Sequence, residues 1–257
     1  MIVLLFLLSV LGGFLSGLLG LGGAVVMIPL MLTIPPVFGL GELSMKAVAG
    51  LSMIQVLFAS FSGMIAHRKN RSVHFPALIY IGIPMGFSAL AGSYASKYFE
   101  NIVLMYVFTG IVSLAFFTFL FDKKLKSEAG PVENISINKV QCIIAGAVTG
   151  AVSGMVGVGG GFILMPFMTY VQKIALKITM GTSLGIIFIG AVAGAIGKIA
   201  SLQVDLILVI PVILGSVIAA RFGAKINKMT SSTVLRYILM TVIFFSIVQM
   251  IFKIAEV

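Results

Sequence analysis

The chain has 257 residues, 60% hydrophobic and only 9% charged, with a mean hydropathy of +1.21. A soluble domain carries about 25% charged residues, so a soluble fold is excluded. The net charge of +10 would suggest nucleic acid in a soluble protein, but here the basic residues fall in short loops between apolar runs, where they set topology; no nucleic-acid partner is expected.

The N-terminal stretch is apolar from Ile2 and lacks a basic lead-in. It reads as a membrane segment rather than a signal peptide. Its apolar run covers about 2–18, and a shorter arm follows at about 22–34. Three long runs come next, at about 44–66, 75–97 and 102–121. A polar stretch, 122–138, separates these from a second set of runs. That set comprises 140–156, a short arm at 159–171, and then 176–199, 204–224 and 233–253. The long runs suit a hydrocarbon core of roughly 30 Å. The short arms, about 13 residues each, reach only roughly 20 Å as helices. Val103–Phe121 does not alternate apolar with polar residues, as a membrane β-barrel strand would. An all-α polytopic membrane protein is expected. The one cysteine, Cys142, lies within an apolar run. It is read as an inert buried thiol, with no disulfide or thiolate metal site.

The second set of runs repeats the first. Gly13–Met31 aligns without a gap with Gly150–Met168, with eight identities in nineteen positions. "KAVAGLSM" (Lys46–Met53) then matches "KITMGTSL" (Lys177–Leu184), Gly63 pairs with Gly194, and Pro84 with Pro211. The chain therefore reads as two membrane repeats, 1–121 and 139–257, joined by the linker 122–138.

Charge selects the relative orientation of the repeats. If the two arms around the glycines form a hairpin that returns to its starting side, the halves are inverted. With Arg68, Lys69 and Arg71 inside, the 17 basic residues then divide 13 inside to 4 outside. If each pair of arms is one long span, they divide 9 to 8. The positive-inside rule favours the inverted arrangement, which is also a common plan of secondary transporters. Both termini are expected outside, and the linker 122–138 in the cytoplasm of a cell (inner or plasma) membrane.

The glycine clusters resemble phosphate loops but lack their chemistry. No Lys-Ser/Thr follows Gly23, and Val25 and Phe162 occupy the last position of the dinucleotide fingerprint. Glycines still let the backbone turn sharply and a ligand approach closely. A helix that begins after them directs unpaired N–H groups and its positive end at the break. Two such breaks brought together near mid-membrane would make an anion site. The competing reading is close helix packing, as in Gly-x-x-x-Gly, and Gly13-x-x-x-Gly17 fits that pattern. All seven acids lie at span ends or in loops. A carboxylate-based proton relay or cation site would place one within a span. No metal site, cofactor or catalytic acid–base pair is expected, so the chain reads as a non-enzyme.

"GLLGLGGAVVMIPLM" and "GMVGVGGGFILMPFM", each followed by a basic residue and a serine ("KAVAGLS", "KITMGTS"), resemble the sulfite exporter TauE/SafE family over essentially the whole chain. The resemblance implies export of small sulfur-containing or organic anions, such as sulfite or a sulfonate. The matching positions are the hairpin glycines, Lys46, Lys177, Ser52 and Ser183, and His67 after the third span also looks like the family. Lys198 stands at the position paired with His67 and departs from that pattern.

The resulting expectation is a secondary transporter of a small anion that works by alternating access. Gly20, Gly22, Gly23, Gly157, Gly159 and Gly160 would supply N–H donors. Ser52, Thr182 and Ser183 would add hydroxyls, although a serine can instead bond the carbonyl one turn back. Gln55 is a weaker candidate. Lys46 and Lys177 would steer the anion, and Pro29 and Pro166 would limit the short arms. An anion channel and a non-transporting membrane scaffold remain alternatives. A homo-oligomer and coupling to protons are left open.

Overall fold

A computed structural model describes residues 1–68, 73–121 and 137–256, and every element in it is helical. In chain order these are α1 (Ile2–Leu19), α2 (Ala24–Val37), α3 (Met45–Arg68), α4 (Phe75–Ala95) and α5 (Asn101–Phe121). The second half gives α6 (Lys139–Val156), α7 (Gly161–Pro166), α8 (Leu176–Ala200), α9 (Leu206–Met229) and α10 (Ser232–Ala255). Among the described residues eight helices are long and apolar enough to cross a membrane. The short arms are α2 and the stretch Gly161–Val171, where α7 passes into one π turn. His67, Lys69, Arg71 and most of the linker lie outside the residues whose side chains are described.

Polar residues at or near the starts of the runs begin several helices. Asn138, Asp205 and Ser231 accept from the backbone N–H groups of Gln141, Ile207 and Val234, and Nδ1 of His74 accepts from Ala77. Each such cap satisfies a donor that has no partner in the first turn.

α3 and α8 form the centre. Of the span Met45–Ile65, 72% is buried, and of α8 61%, against 22% for α10. α3 runs antiparallel to α8: Met53 lies against Gly194, and Leu184 against Gly63. The halves interlock around this pair. α1 packs along α9, and α6 packs along α4. Small residues let these backbones touch. A Cβ on Gly13 would lie 2.6 Å from the Ser216 backbone, and one on Gly17 would overlap the Ala220 carbonyl. Gly146, Gly150 and Gly154 meet Ile81, Met85 and Ala89 in the same way. The four-residue glycine spacing on α1 is therefore a packing device.

These contacts also correct one pairing. Gly92 lies against Ala151, and Gly223 against Phe14, so Gly92 and Gly223 are repeat mates, 131 positions apart. Pro84 and Pro211 are 127 apart, one helical turn out of that register. A slip of about one turn keeps a residue on the same helix face, which is why the two prolines look equivalent in sequence. Pro29 also differs from expectation: α2 continues through it to Val37. Pro166 does coincide with the end of α7 as a regular α-helix.

Candidate functional site

The glycine clusters break both hairpins, as the sequence suggested. α1 ends at Gly20 (φ 72°) and α6 at Gly157 (φ 82°), and each glycine N–H bonds the carbonyl four residues back at 2.8 Å. Gly23 (φ 77°) and Gly160 (φ 73°) then start the short arms, preceded by Gly22 (φ 87°) and Gly159 (φ 76°). All six are left-handed, a conformation that costs other residues roughly 1–2 kcal/mol. The whole of Gly20–Gly23 and Gly157–Gly160 is buried. Broken backbone at membrane depth requires that shelter.

The two breaks meet at the centre of the α3–α8 pair. A Cβ on Gly161 would lie 2.7 Å from the backbone of Leu21. Cβ atoms on Gly22 and on Gly159 would both touch Val56 and Ile187. Val56 and Ile187 are themselves repeat mates, 131 positions apart. Both are fully buried and fill the space between the breaks.

The carbonyls exposed by the breaks are capped by side chains. Asn227 Nδ2 donates to the Leu18 carbonyl at 2.6 Å, and Lys198 Nζ to the Met155 carbonyl at 3.0 Å. Leu18 and Met155 are mates, so one position is capped by a neutral amide in one half and by an ammonium in the other. The Ser183 hydroxyl reaches the Gly20 carbonyl at 2.8 Å and the Met180 carbonyl at 3.0 Å. The Gln55 amide, with its nitrogen toward the Gly22 carbonyl and its oxygen toward the Gly13 N–H, bonds each at 3.2 Å. Ser52, the mate of Ser183, is fully buried, and its hydroxyl has no partner among the described residues.

The family model for the sulfite exporter TauE/SafE matches residues 5–250. The chain belongs to the sulfite exporter TauE/SafE family. It is also similar to the probable membrane transporter protein YunE of Bacillus subtilis, 25% identical over 90% of this chain and 91% of that one. A probable membrane transporter protein of Methanocaldococcus jannaschii is 26% identical over 93% of this chain and 91% of its own. No solved structure matches. TauE/SafE membership and these relatives place the chain among membrane transporters.

Within this TauE/SafE chain, Gly20, Gly22, Gly23, Gly157 and Gly159 pack on α3 or α8, the helices that carry Ser52 and Ser183, while Gly160 packs on α4 and α6. The other candidates lie elsewhere. Thr182 Oγ1 accepts from the His74 N–H at 2.9 Å, at the start of α4. Lys46, half-buried, donates to the Lys97 carbonyl at 2.8 Å. Lys177, also half-buried, precedes the Met180 that packs on Gly20 by under one turn. Sequence reasoning passed over Thr149 and Ser153. A Cβ on Gly160 would collide with the Thr149 methyl and lie 3.4 Å from Ser153 Cβ. The recurrence of Ser16 at Ser153 was the available signal. Nothing in the sequence marks Asn227 as the cap of a residue 209 positions away.

Proposed function

We propose that this transporter carries a small anion, with sulfite and sulfonates the leading class, by alternating access between two inverted halves. The observation that carries the reading is the meeting of two glycine breaks at Val56 and Ile187. Each break directs backbone N–H groups at a buried point, the donor geometry that suits an anion. The antiparallel α3–α8 pair, with Met53 on Gly194 and Leu184 on Gly63, supports the inverted relation of 1–121 to 139–257. An inverted pair has two near-equivalent ways to rock, one open to each side. In the conformation described here Val56 and Ile187 occupy the meeting point, so an anion must part them to pass. Lys46 and Lys177 steer anions toward the two ends of the path. The direction is export, out of a cytoplasm that holds the linker.

Counterflow tests the reading. Proteoliposomes preloaded with unlabelled sulfite are given labelled sulfite outside, and transient accumulation is followed. Saturable accumulation in the native protein, lost in Gly22→Leu, is the expected result. Dissipative flux without overshoot would assign a channel instead. Normal transport by a folded Gly22→Leu protein would show that the breaks serve packing alone.

A further inference from the structure

Lys198 is the only Lys, Arg, Asp or Glu that is buried among the described residues, and it is fully so. Its ammonium donates to Ser96 Oγ at 2.7 Å, Gln203 Oε1 at 2.9 Å and the Met155 carbonyl at 3.0 Å. Three protons thus meet three neutral acceptors. No carboxylate accompanies them: the one ion pair among the described residues is Lys253–Glu256. A buried charge without a counter-charge is costly, and within a membrane such a residue marks a substrate path.

The second break, which this lysine reaches through Met155, supplies the rest of a site. Met155 lies two residues before the break at Gly157. The Gln203 carbonyl would lie 2.8 Å from a Cβ on Gly50. The neighbouring Ala49 carbonyl packs on Gly157. Ser52 follows one turn along α3, between Ala49 at Gly157 and Val56 at Gly159. Thr149 and Ser153 pack on Gly160. The hydroxyls of Ser52, Thr149 and Ser153 are all buried and all lack a partner among the described residues. An unpaired buried hydroxyl is unfavourable unless a ligand completes it. The first break differs. Ser183 and Gln55 are bonded to its carbonyls, the mate of Thr149 is Gly12, and a neutral Asn227 replaces the lysine. Of the local hydroxyls there, only Ser16 is orphaned.

We propose that the anion site is asymmetric and built on the second break, with Lys198 as its counter-charge and Ser52, Thr149 and Ser153 as its hydroxyl donors. This rests on the anion-transporter reading and assigns recognition to one half. The ligand class is a small oxyanion with at least two oxygens, one for the ammonium and one for the hydroxyls. The anion displaces Gln203 or Ser96 from Lys198, which loosens the ends of α4 and α8 that the lysine ties to α6. Lys46 bonds the carbonyl of Lys97, the residue after the Ser96 that Lys198 bonds, so a second cation stands at the same end of the path.

The test uses the full-length protein in detergent for thermal unfolding and in proteoliposomes for counterflow, with sulfite, sulfoacetate, acetate and chloride as probes. Native protein is expected to be stabilised by at least one oxyanion and not by chloride. Lys198→Met should raise the KM for that anion about tenfold or more, the scale of one lost charge-assisted hydrogen bond, and Lys198→Arg should recover most of it. Thr149→Val and Ser153→Ala remove hydroxyls that bond nothing, so unliganded unfolding should be unchanged while KM rises roughly three- to tenfold. Ser16→Ala, at the first break, should move KM less than about twofold. Equal effects of Ser16→Ala and Ser153→Ala, or native KM values in Thr149→Val and Ser153→Ala, would overturn the assignment even if Lys198→Met fails to fold. If no probe stabilises or is carried by the native protein, the anion reading itself fails, and this inference with it.

Discussion

The Ser183 hydroxyl donates to the Gly20 carbonyl at 2.8 Å, tying the centre of one half to the break of the other. Its mate Ser52 sits equally deep with no partner among the described residues. Two serines that the repeat makes equivalent are thus in different electrostatic situations.

That difference predicts opposite mutational outcomes. Ser183→Ala leaves the buried Gly20 carbonyl unpaired and should cost about 1–3 kcal/mol. Ser52→Ala removes an unsatisfied hydroxyl and should leave stability within about 0.5 kcal/mol or raise it, while weakening anion transport. Thermal unfolding in detergent beside counterflow in liposomes separates the two effects. Equal destabilisation by both substitutions would contradict the assignment.

Glycine substitutions should sort by position. Gly157→Ala combines a left-handed backbone with a collision against the Ala49 carbonyl, and should lose about 2 kcal/mol or more. Gly110, inside α5, faces open space, so Gly110→Ala should be neutral or gain about 0.5–1 kcal/mol. Measured unfolding midpoints would rank them.

Ile187→Ala removes half of the Val56–Ile187 plug between the breaks. The cavity should cost about 2–5 kcal/mol. The expected functional sign is dissipative anion leak in the counterflow assay, with a smaller overshoot than native. An unchanged overshoot would show that this pair is no barrier.

Asn227→Leu leaves the Leu18 carbonyl, next to the first break, without its donor. A loss of about 1–3 kcal/mol is expected, with Asn227→Gln intermediate. A neutral Asn227→Leu would mean that another group reaches this carbonyl.

The inverted arrangement has a direct test. In a Cys142→Ser background, Glu100→Cys, Lys139→Cys and Lys173→Cys place thiols at three exposed positions, the last two on either side of the second hairpin. A membrane-impermeant maleimide on intact cells should label Glu100→Cys and neither of the other two. Labelling of Lys173→Cys but not Lys139→Cys would refute the inverted arrangement.

The sequence by itself determined the membrane class, the ten helical segments to within a few residues, the two-fold repetition and the position of both breaks. Each of these is local: apolar run length decides a span, and adjacent glycines decide where a helix stops. The boundaries expected at 44–66 and 176–199 became Met45–Arg68 and Leu176–Ala200 for that reason. Tertiary structure decided what the repeat could not. It set Gly92 opposite Gly223 and so moved Pro84 out of register with Pro211, because helix faces repeat every turn and a one-turn slip is nearly silent in sequence. It carried α2 past Pro29, since a proline removes one hydrogen bond and neighbours can shelter the freed carbonyl. It also set Lys198 on Met155, Asn227 on Leu18 and Ser183 on Gly20. Those contacts join residues 43, 209 and 163 positions apart. The last two form only when one half packs against the other, and the first only when α8 packs against α6.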